Sequence, residues 1–371
     1  MKIGVNCQHL LKQPAGPEYH LTELIRALVK IDDTNTYVLF FNAEPNKELV
    51  KSLTNNQTNF KIKVIKSKYI WTQWALYNEL KNNPVDLYFT SVHTAPFLLK
   101  DTKIICMIHG LEYKTNKQYG KNKILEILHP FILKRLCNMS YKIVVPSNAT
   151  KSTVLNLLKR LDKSKIVVIS EGVREDFYKR SMDEINFIRT KYGIDGEYIY
   201  FISTIQPRKN LPATIEAFAN LIKKHKNFNK LIFVIAGKEG DQAVESLTAP
   251  KAFEIEHKVK FLGYVADKDR PMLLSGAKLY VNMSVEEGFN LTLLEALACE
   301  VIPVVSNIPA HKELARNHAI YANPRSTEEI ESAIVTGLTE TYQFDSTAAK
   351  ALATTYSWEN TARAFLRLFL S

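Results

Sequence analysis

Cysteine is scarce in this 371-residue chain, and none of it is paired in sequence. Cys7, Cys106, Cys137 and Cys299 stand apart, with no C-x-x-C. Most lie in apolar surroundings, where a small buried thiol is the ordinary reading, and a reducing, cytoplasmic compartment is expected. Long apolar runs are absent too: none reaches the ~18 residues of a membrane-spanning helix. Met1-Lys2 leads directly into Ile3-Gly4-Val5-Asn6, which reads as a first strand rather than as a secretory signal. No G-x-G-x-x-G follows a strand-like run, which disfavours a dinucleotide oxidoreductase. No nucleic-acid module and no interleaved aromatic-basic motif occurs, so nucleic acid is not an expected partner. Histidines, cysteines and carboxylates do not cluster at metal-ligand spacing, and no metal is expected. The one D-x-D, Asp267-Lys268-Asp269, stands at an expected helix start, where acidic residues serve as cap and dipole partners.

What is present begins with charge. The net charge of +11 belongs wholly to the first half: residues 1–172 hold 25 Lys+Arg against 13 Asp+Glu, and residues 173–371 hold 24 against 25. A basic half beside a neutral half fits an anionic partner such as a lipid headgroup surface, a phosphorylated carrier or an acidic glycan; it equally fits a lysine-rich solvated surface. Within it, residues 114–142 interleave Lys121, Lys123, Lys134 and Arg135 with Ile124, Leu125, Ile127, Leu128, Phe131, Ile132 and Leu133. That pattern suits a helix on a membrane surface or a core-facing amphipathic helix with a basic edge. Trp71 and Trp74, flanked by Tyr69 and Tyr77, read as core aromatics first and as an acceptor groove second.

Short β-branched runs recur at 3–6, 37–41, 61–65, 86–90, 103–109, 142–147 and 165–170, with amphipathic helical stretches between several of them. The series then restarts at 198–203, 231–237, 259–263, 279–284, 301–307 and 319–322. Apolar strands alternating with helices predict parallel sheets covered on both faces. Two such series predict two Rossmann-like, doubly wound α/β domains, 1–172 and 173–358, with the last helix (359–371) packing back on the first. Ligands of open parallel sheets bind where strands end, near the reversal of strand order, so residues just after strands carry the search.

The densest such segment is Val285-Glu286-Glu287-Gly288-Phe289-Asn290-Leu291-Thr292-Leu293-Leu294-Glu295. A strand ends, a glycine turn follows, and a helix starts near Asn290, offering free N–H groups to a diphosphate. Glu287 and Glu295 can accept hydrogen bonds from hydroxyls at two ends of one ligand. As plain structure, Glu287 would be a helix-dipole partner and Glu295 a surface helix position.

This segment resembles the E-x7-E motif of retaining GT-B glycosyltransferases of the family 4 (group 1) type. Ser203-Thr204-Ile205-Gln206-Pro207-Arg208-Lys209-Asn210-Leu211, Ala236-Gly237-Lys238-Glu239-Gly240, Phe261-Leu262-Gly263-Tyr264-Val265 and Ser170-Glu171-Gly172-Val173 also look like family segments. The resemblance runs along almost the whole chain. It implies a GT-B architecture, with two Rossmann-like domains facing a central cleft. It also implies transfer of a hexose from a nucleotide diphosphate sugar (UDP- or GDP-linked) to a glycan or lipid-linked acceptor hydroxyl, with retention and without a cofactor. The setting it implies is polysaccharide or glycolipid synthesis at the inner face of the membrane.

By the same resemblance, Glu287 would bind the transferred sugar and Glu295 the ribose. Backbone N–H groups of Gly288, Phe289 and Asn290 would serve the sugar, and those of Leu291 and Thr292 the diphosphate. Lys209, with Arg208, would neutralise the leaving diphosphate. His109, at a strand end in Cys106-Met107-Ile108-His109-Gly110, resembles the family's histidine near the donor sugar. Gly16, in Ala15-Gly16-Pro17-Glu18-Tyr19, resembles its glycine loop, where the backbone can approach a ligand. This chain departs from the family pattern at Asn290 and Glu300, where glycine is usual, and at Thr292, where proline is usual. It departs again at Thr204 in place of a common arginine, and at Gly110 where an acidic residue is frequent. Glu300 in a left-handed helix cap would cost on the order of 1 kcal/mol. Two other functions stay open: a non-catalytic nucleotide-sugar-binding subunit, and a GT-B nucleotide-sugar epimerase.

Overall fold

The computed structural model describes the chain except for residues 12–15, 68–69, 112–122 and 340; of 123–127 only the helical backbone is described. Two compact units divide it. Met1–Leu111, residues 123–172 and Trp358–Ser371 belong to the first, and Val173–Ser357 to the second.

The first unit is built on seven parallel strands: β1 (Lys2–Asn6), β2 (Thr36–Phe41), β3 (Phe60–Val64), β4 (Leu87–Thr90), β5 (Lys103–Met107), β6 (Lys142–Val145) and β7 (Ile166–Val168). Their order is β3-β2-β1-β4-β5-β6-β7. Ile3 lies between Tyr37 of β2 and Leu87 of β4, so the order reverses beside β1. Consecutive residues such as Tyr88 and Phe89 are both buried, as strands covered on two faces require. The terminal helix, Trp358–Phe369, shows why it packs where it does. Trp358, Thr361, Ala362, Phe365, Leu368 and Phe369 recur on one stripe and are buried, and Glu359 and Arg363 pair on the outside. Phe365 and Phe369 lie 5.3 and 5.8 Å from the Phe89 ring.

The helix Lys123–Met139 is amphipathic in the ordinary sense, with Leu133 and Leu136 buried; Leu128 and Phe131, however, are exposed. The tryptophans divide likewise. Trp71 is buried and donates from Nε1 to Ile65 O at 2.7 Å, while Trp74 is exposed. Tyr69 and the basic side chains of 114–127 lie outside the described residues. No described helix is long and apolar enough to cross a membrane.

The second unit repeats the plan with six parallel strands: β8 (Tyr198–Ile202), β9 (Ile232–Ala236), β10 (Val259–Gly263), β11 (Leu279–Asn282), β12 (Ile302–Ser306) and β13 (Ile320–Ala322). The order is β10-β9-β8-β11-β12-β13, reversing between β8 and β11. Tyr198, Tyr200 and Ile202 pack into one layer, with Leu293, Leu294 and Leu297 of the helix Leu291–Ala298. Ile199 and Phe201 pack into the other, with Phe218 of the helix Leu211–Lys224. Past the end of Leu291–Ala298, Glu300 takes φ 60°, the left-handed conformation expected of it. The amides of Glu300 and Val301 return to Leu297 O and Ala296 O, and Lys350 pairs with the Glu300 carboxylate at 3.0 Å.

Candidate active site

The loops leaving β8 and β11 meet, and these are the adjacent strands at which the order of the second sheet reverses. The β8 loop is held by its neighbour: Ser203 N donates to Ala236 O, Ile205 N to Lys238 O, and Gly240 N back to Ile205 O. Gly237, at φ 135°, is required there, because a Cβ on it would lie 1.7 Å from Ser203 O. The chain then makes one 3₁₀ turn, Pro207–Lys209, and crosses to the β11 loop through Val285 N donating to Arg208 O.

Side chains complete that junction. Glu287 accepts from Lys209 Nζ at 2.5 Å and from Arg208 Nη1 at 2.9 Å. The Lys209 and Glu287 side chains are only 7% and 6% exposed. Burial pushes the Glu287 carboxyl up, but Lys209 and Arg208 outweigh it and hold the group well below the usual carboxylate range. Two cations meet one carboxylate at a strand end, a setting suited to an anion.

Behind Glu287 runs a buried polar chain, of which sequence reading singles out only Asn290 and Thr292. The Ser284 hydroxyl lies 2.6 Å from both Glu287 Oε1 and Asn282 Oδ1, and can donate to one at a time. Asn282 Nδ2 donates to Tyr280 OH, which meets Thr292 Oγ1 at 2.6 Å; Thr292 donates to Asn290 Oδ1. Asn290 Nδ2 donates to His311 Nε2 at 2.8 Å, and His311 Nδ1 faces Ser306 O at 3.0 Å. Burial lowers the His311 pKa to about 4, consistent with a neutral ring that accepts at Nε2.

The two departures at Asn290 and Thr292 are therefore coupled. Asn290 sits at φ 85°, caps the helix Leu291–Ala298 through Leu293 N, and turns its side chain toward Thr292 and His311. Leu291 and Thr292 occupy the first turn of that helix, while the Phe289 side chain packs in the core, 5.9 Å from the Tyr356 ring. Gly288 is buried between Glu287 and Phe289.

Glu295 belongs to a different network. It is buried, not the surface position of the plain structural reading, and pairs with Arg270. Arg270 also reaches Asp267, which faces Arg174, and Arg174 pairs with Asp176. Desolvation raises the Glu295 carboxyl in spite of Arg270. The D-x-D is likewise occupied by cations. Asp269 stands at the N-terminus of Arg270–Ser275 but makes no side-chain cap bond; it accepts from Lys191 at 2.5 Å and Tyr192 OH at 2.8 Å. Ion pairing, rather than capping, is what these two aspartates do.

In the first unit, His109 follows β5 and Glu171 follows β7. His109 Nδ1 lies 3.1 Å from Glu171 Oε1, and His20 Nδ1, on the helix Gly16–Ile31, lies 3.3 Å from the same oxygen. Among the described residues this is the one cluster of histidine and carboxylate close enough to hold a metal ion. Glu171 and His20 were not singled out by sequence reading, although Glu171 meets the rule of standing just after a strand. Gly16 opens its helix, and among the described residues a Cβ there would meet nothing within 4 Å, so they do not demand glycine. Ala15 lies outside the described residues.

Comparison with known proteins follows this division. Residues 184–349 match the model of the glycosyl transferases group 1, and residues 14–177 that of Glycosyltransferase Family 4. The chain belongs to this glycosyltransferase family. It is 29% identical over 203 residues to the O-antigen chain mannosyltransferase B of Escherichia coli, covering 53% of this chain and 51% of that one. It is 26% identical over 268 residues to the O-antigen chain mannosyltransferase RfbU of Salmonella typhimurium, covering 72% and 69%. The chain thus spans about half the length of the first of these relatives. Among solved structures, Anabaena Alr3699/HepE in complex with UDP-glucose superposes with a TM-score of 0.79 at 17% identity, covering 100% of this chain and 99% of that one. Together with the two parallel-sheet units, these matches establish a GT-B fold.

Proposed function

We propose that the protein transfers a hexose from a nucleotide diphosphate sugar to an acceptor hydroxyl, with retention at the anomeric carbon. The Arg208–Lys209–Glu287 cluster at the reversal point of the second sheet carries this reading. As the donor binds, sugar hydroxyls take over Glu287, and the two cations turn to the diphosphate. The bond from the anomeric carbon to the phosphate oxygen breaks, its electron pair leaving with the nucleoside diphosphate. Lys209, Arg208 and the N-terminus of Leu291–Ala298 stabilise that charge. The acceptor oxygen attacks the same face, and its proton passes to the departing phosphate oxygen. These fixed cations supply the positive charge the step needs, so the proposal includes no resident metal or cofactor. Glu295 serves the ribose and His109 the sugar in this reading. The relatives' names support mannose as a donor sugar to try first, and polysaccharide synthesis as the setting.

The test is a panel of UDP-, GDP- and ADP-sugars scored by nucleotide release and by glycosylated product, with Glu287→Ala and Lys209→Ala as controls. Loss of turnover in both supports the site; wild-type turnover in both overturns it. Donor turnover without acceptor product would instead support an epimerase, and affinity without turnover a binding subunit.

One further observation supports an anionic membrane surface as partner of the basic first unit. Ile70, Trp74, Leu98 and Phe131 are exposed, on segments tied together by Gln73 to Ala95 O and Phe97 N and by Arg135 to Phe97 O. Apolar side chains beside Lys134 and Arg135 suit a headgroup boundary at the cytoplasmic face. Sedimentation with anionic vesicles should exceed that with neutral ones and fall with salt; equal, salt-insensitive behaviour rules the membrane out.

A further inference from the structure

His109 is followed by Gly110, where the family frequently carries an acidic residue, yet a carboxylate reaches its ring from another strand end. Glu171 Oε1 lies 3.1 Å from His109 Nδ1 and 3.3 Å from His20 Nδ1. Burial pushes the Glu171 carboxyl up, but the His109 and His20 contacts pull it down to about 2, so it is ionised and only accepts. Burial lowers the His20 pKa, the foremost effect on it, against the opposing pull of Glu171. Rigid elements set both residues. Thr361 Oγ1, on the terminal helix, donates to Ser170 O at 2.8 Å, and the His20 ring packs 5.3 Å from Trp358 and 4.8 Å from the His109 ring.

A neutral imidazole carries one N–H, and a partner on one nitrogen decides the state of the other. His109 Nε2 is buried and has no hydrogen-bond partner among the described residues. A bare acceptor in that position is costly unless something brings an O–H or N–H to it.

We propose that Glu171 is a positioning residue: it fixes the His109 proton on Nδ1 and holds the Nε2 lone pair ready to accept a hydrogen bond from a substrate hydroxyl. His20 is the buffer that keeps the carboxylate in place from its other side. The identity of that hydroxyl rests on the transferase reading; the fixed tautomer does not.

The experiment uses the full chain labelled with ¹⁵N-histidine and long-range proton–nitrogen correlation spectra, with the His109 signal assigned by its loss in His109→Gln. Wild type should show Nδ1–H with a bare Nε2. In the isosteric Glu171→Gln, the amide can donate to Nδ1, so an Nε2–H signal should appear. Turnover per KM should fall about tenfold, the worth of one hydrogen bond. Glu171→Gln added to His109→Gln should cost nothing more, since both act through one contact. An Nε2–H signal in wild type overturns the proposal without any variant, and so does additive loss in the double variant. If no donor is turned over by wild type, the transferase reading fails while the tautomer still decides the role of Glu171.

Discussion

Lys209 Nζ donates to Glu287 Oε1 across 2.5 Å, although 78 residues separate them in sequence. Both are nearly buried, so each is the condition for the other's charge. Removing the carboxylate takes a buried partner from two cations at once, whereas removing the lysine leaves Glu287 still paired with Arg208. Glu287→Ala should therefore cost about 3–5 kcal/mol, and Lys209→Ala about 2 kcal/mol. Urea unfolding of the two variants checks the order, and a larger loss for Lys209→Ala would contradict it.

Acid should destabilise the protein in two windows. His311 has an ordinary pKa of 6.5, lowered in the fold to about 4. Between these values the unfolded chain binds the extra proton, so stability falls as pH drops from 6.5 toward 4. Glu171 goes from 4.5 to about 2, and its contribution, present above 4.5, is lost as pH falls through the folded value. Urea midpoints measured from pH 7 to 3 should show both slopes. Glu171→Gln should flatten only the lower one.

Asn290→Gly restores the residue usual in the family and relaxes φ 85°. Asn tolerates the left-handed region, so that gain is small. The loss is larger: the helix cap goes, and His311 Nε2 is left without the Asn290 amide. A net destabilisation of about 1–3 kcal/mol is expected, with an altered donor KM. Thermal melting together with donor titration reads both.

Gly237→Ala should be far more damaging than its size suggests. The added methyl would lie 1.7 Å from the Ser203 carbonyl oxygen, a backbone atom that cannot swing aside. Displacement of the β8 loop would separate Lys209 from Glu287. Loss of at least about 3 kcal/mol, or failure to fold, is expected in urea titration; a near-neutral result would mean the loop re-forms elsewhere.

Arg270→Met keeps the bulk at the side of Glu295 and removes its cation. Glu295, already raised by burial, should then be raised further. Stability should fall by about 3 kcal/mol at alkaline pH, and the loss should shrink as the pH is lowered. Unchanged pH dependence would show that another group neutralises Glu295.

Each of the strands β1 to β13 coincides with a β-branched run that is legible without coordinates. The reason is local: parallel strands covered on both faces must be apolar nearly throughout, so composition alone marks them. The placement of Glu287 and Lys209 just after strands is legible for the same reason, and so is the strained cap at Glu300. Partnership is not local. Whether Glu295 meets a ribose hydroxyl or Arg270, and whether Asn290 turns to a sugar or to His311, depends on which strands become neighbours. Glu171 shows this best. Nothing near it in sequence calls for a histidine, and only the sheet that brings the ends of β5 and β7 near each other, with the Gly16–Ile31 helix beside them, brings His109 and His20 to one oxygen. Residue type and local pattern thus determined the elements and where chemistry could sit. Tertiary structure decided which charge answers which, because ion pairs form between side chains that topology, not sequence distance, brings into contact.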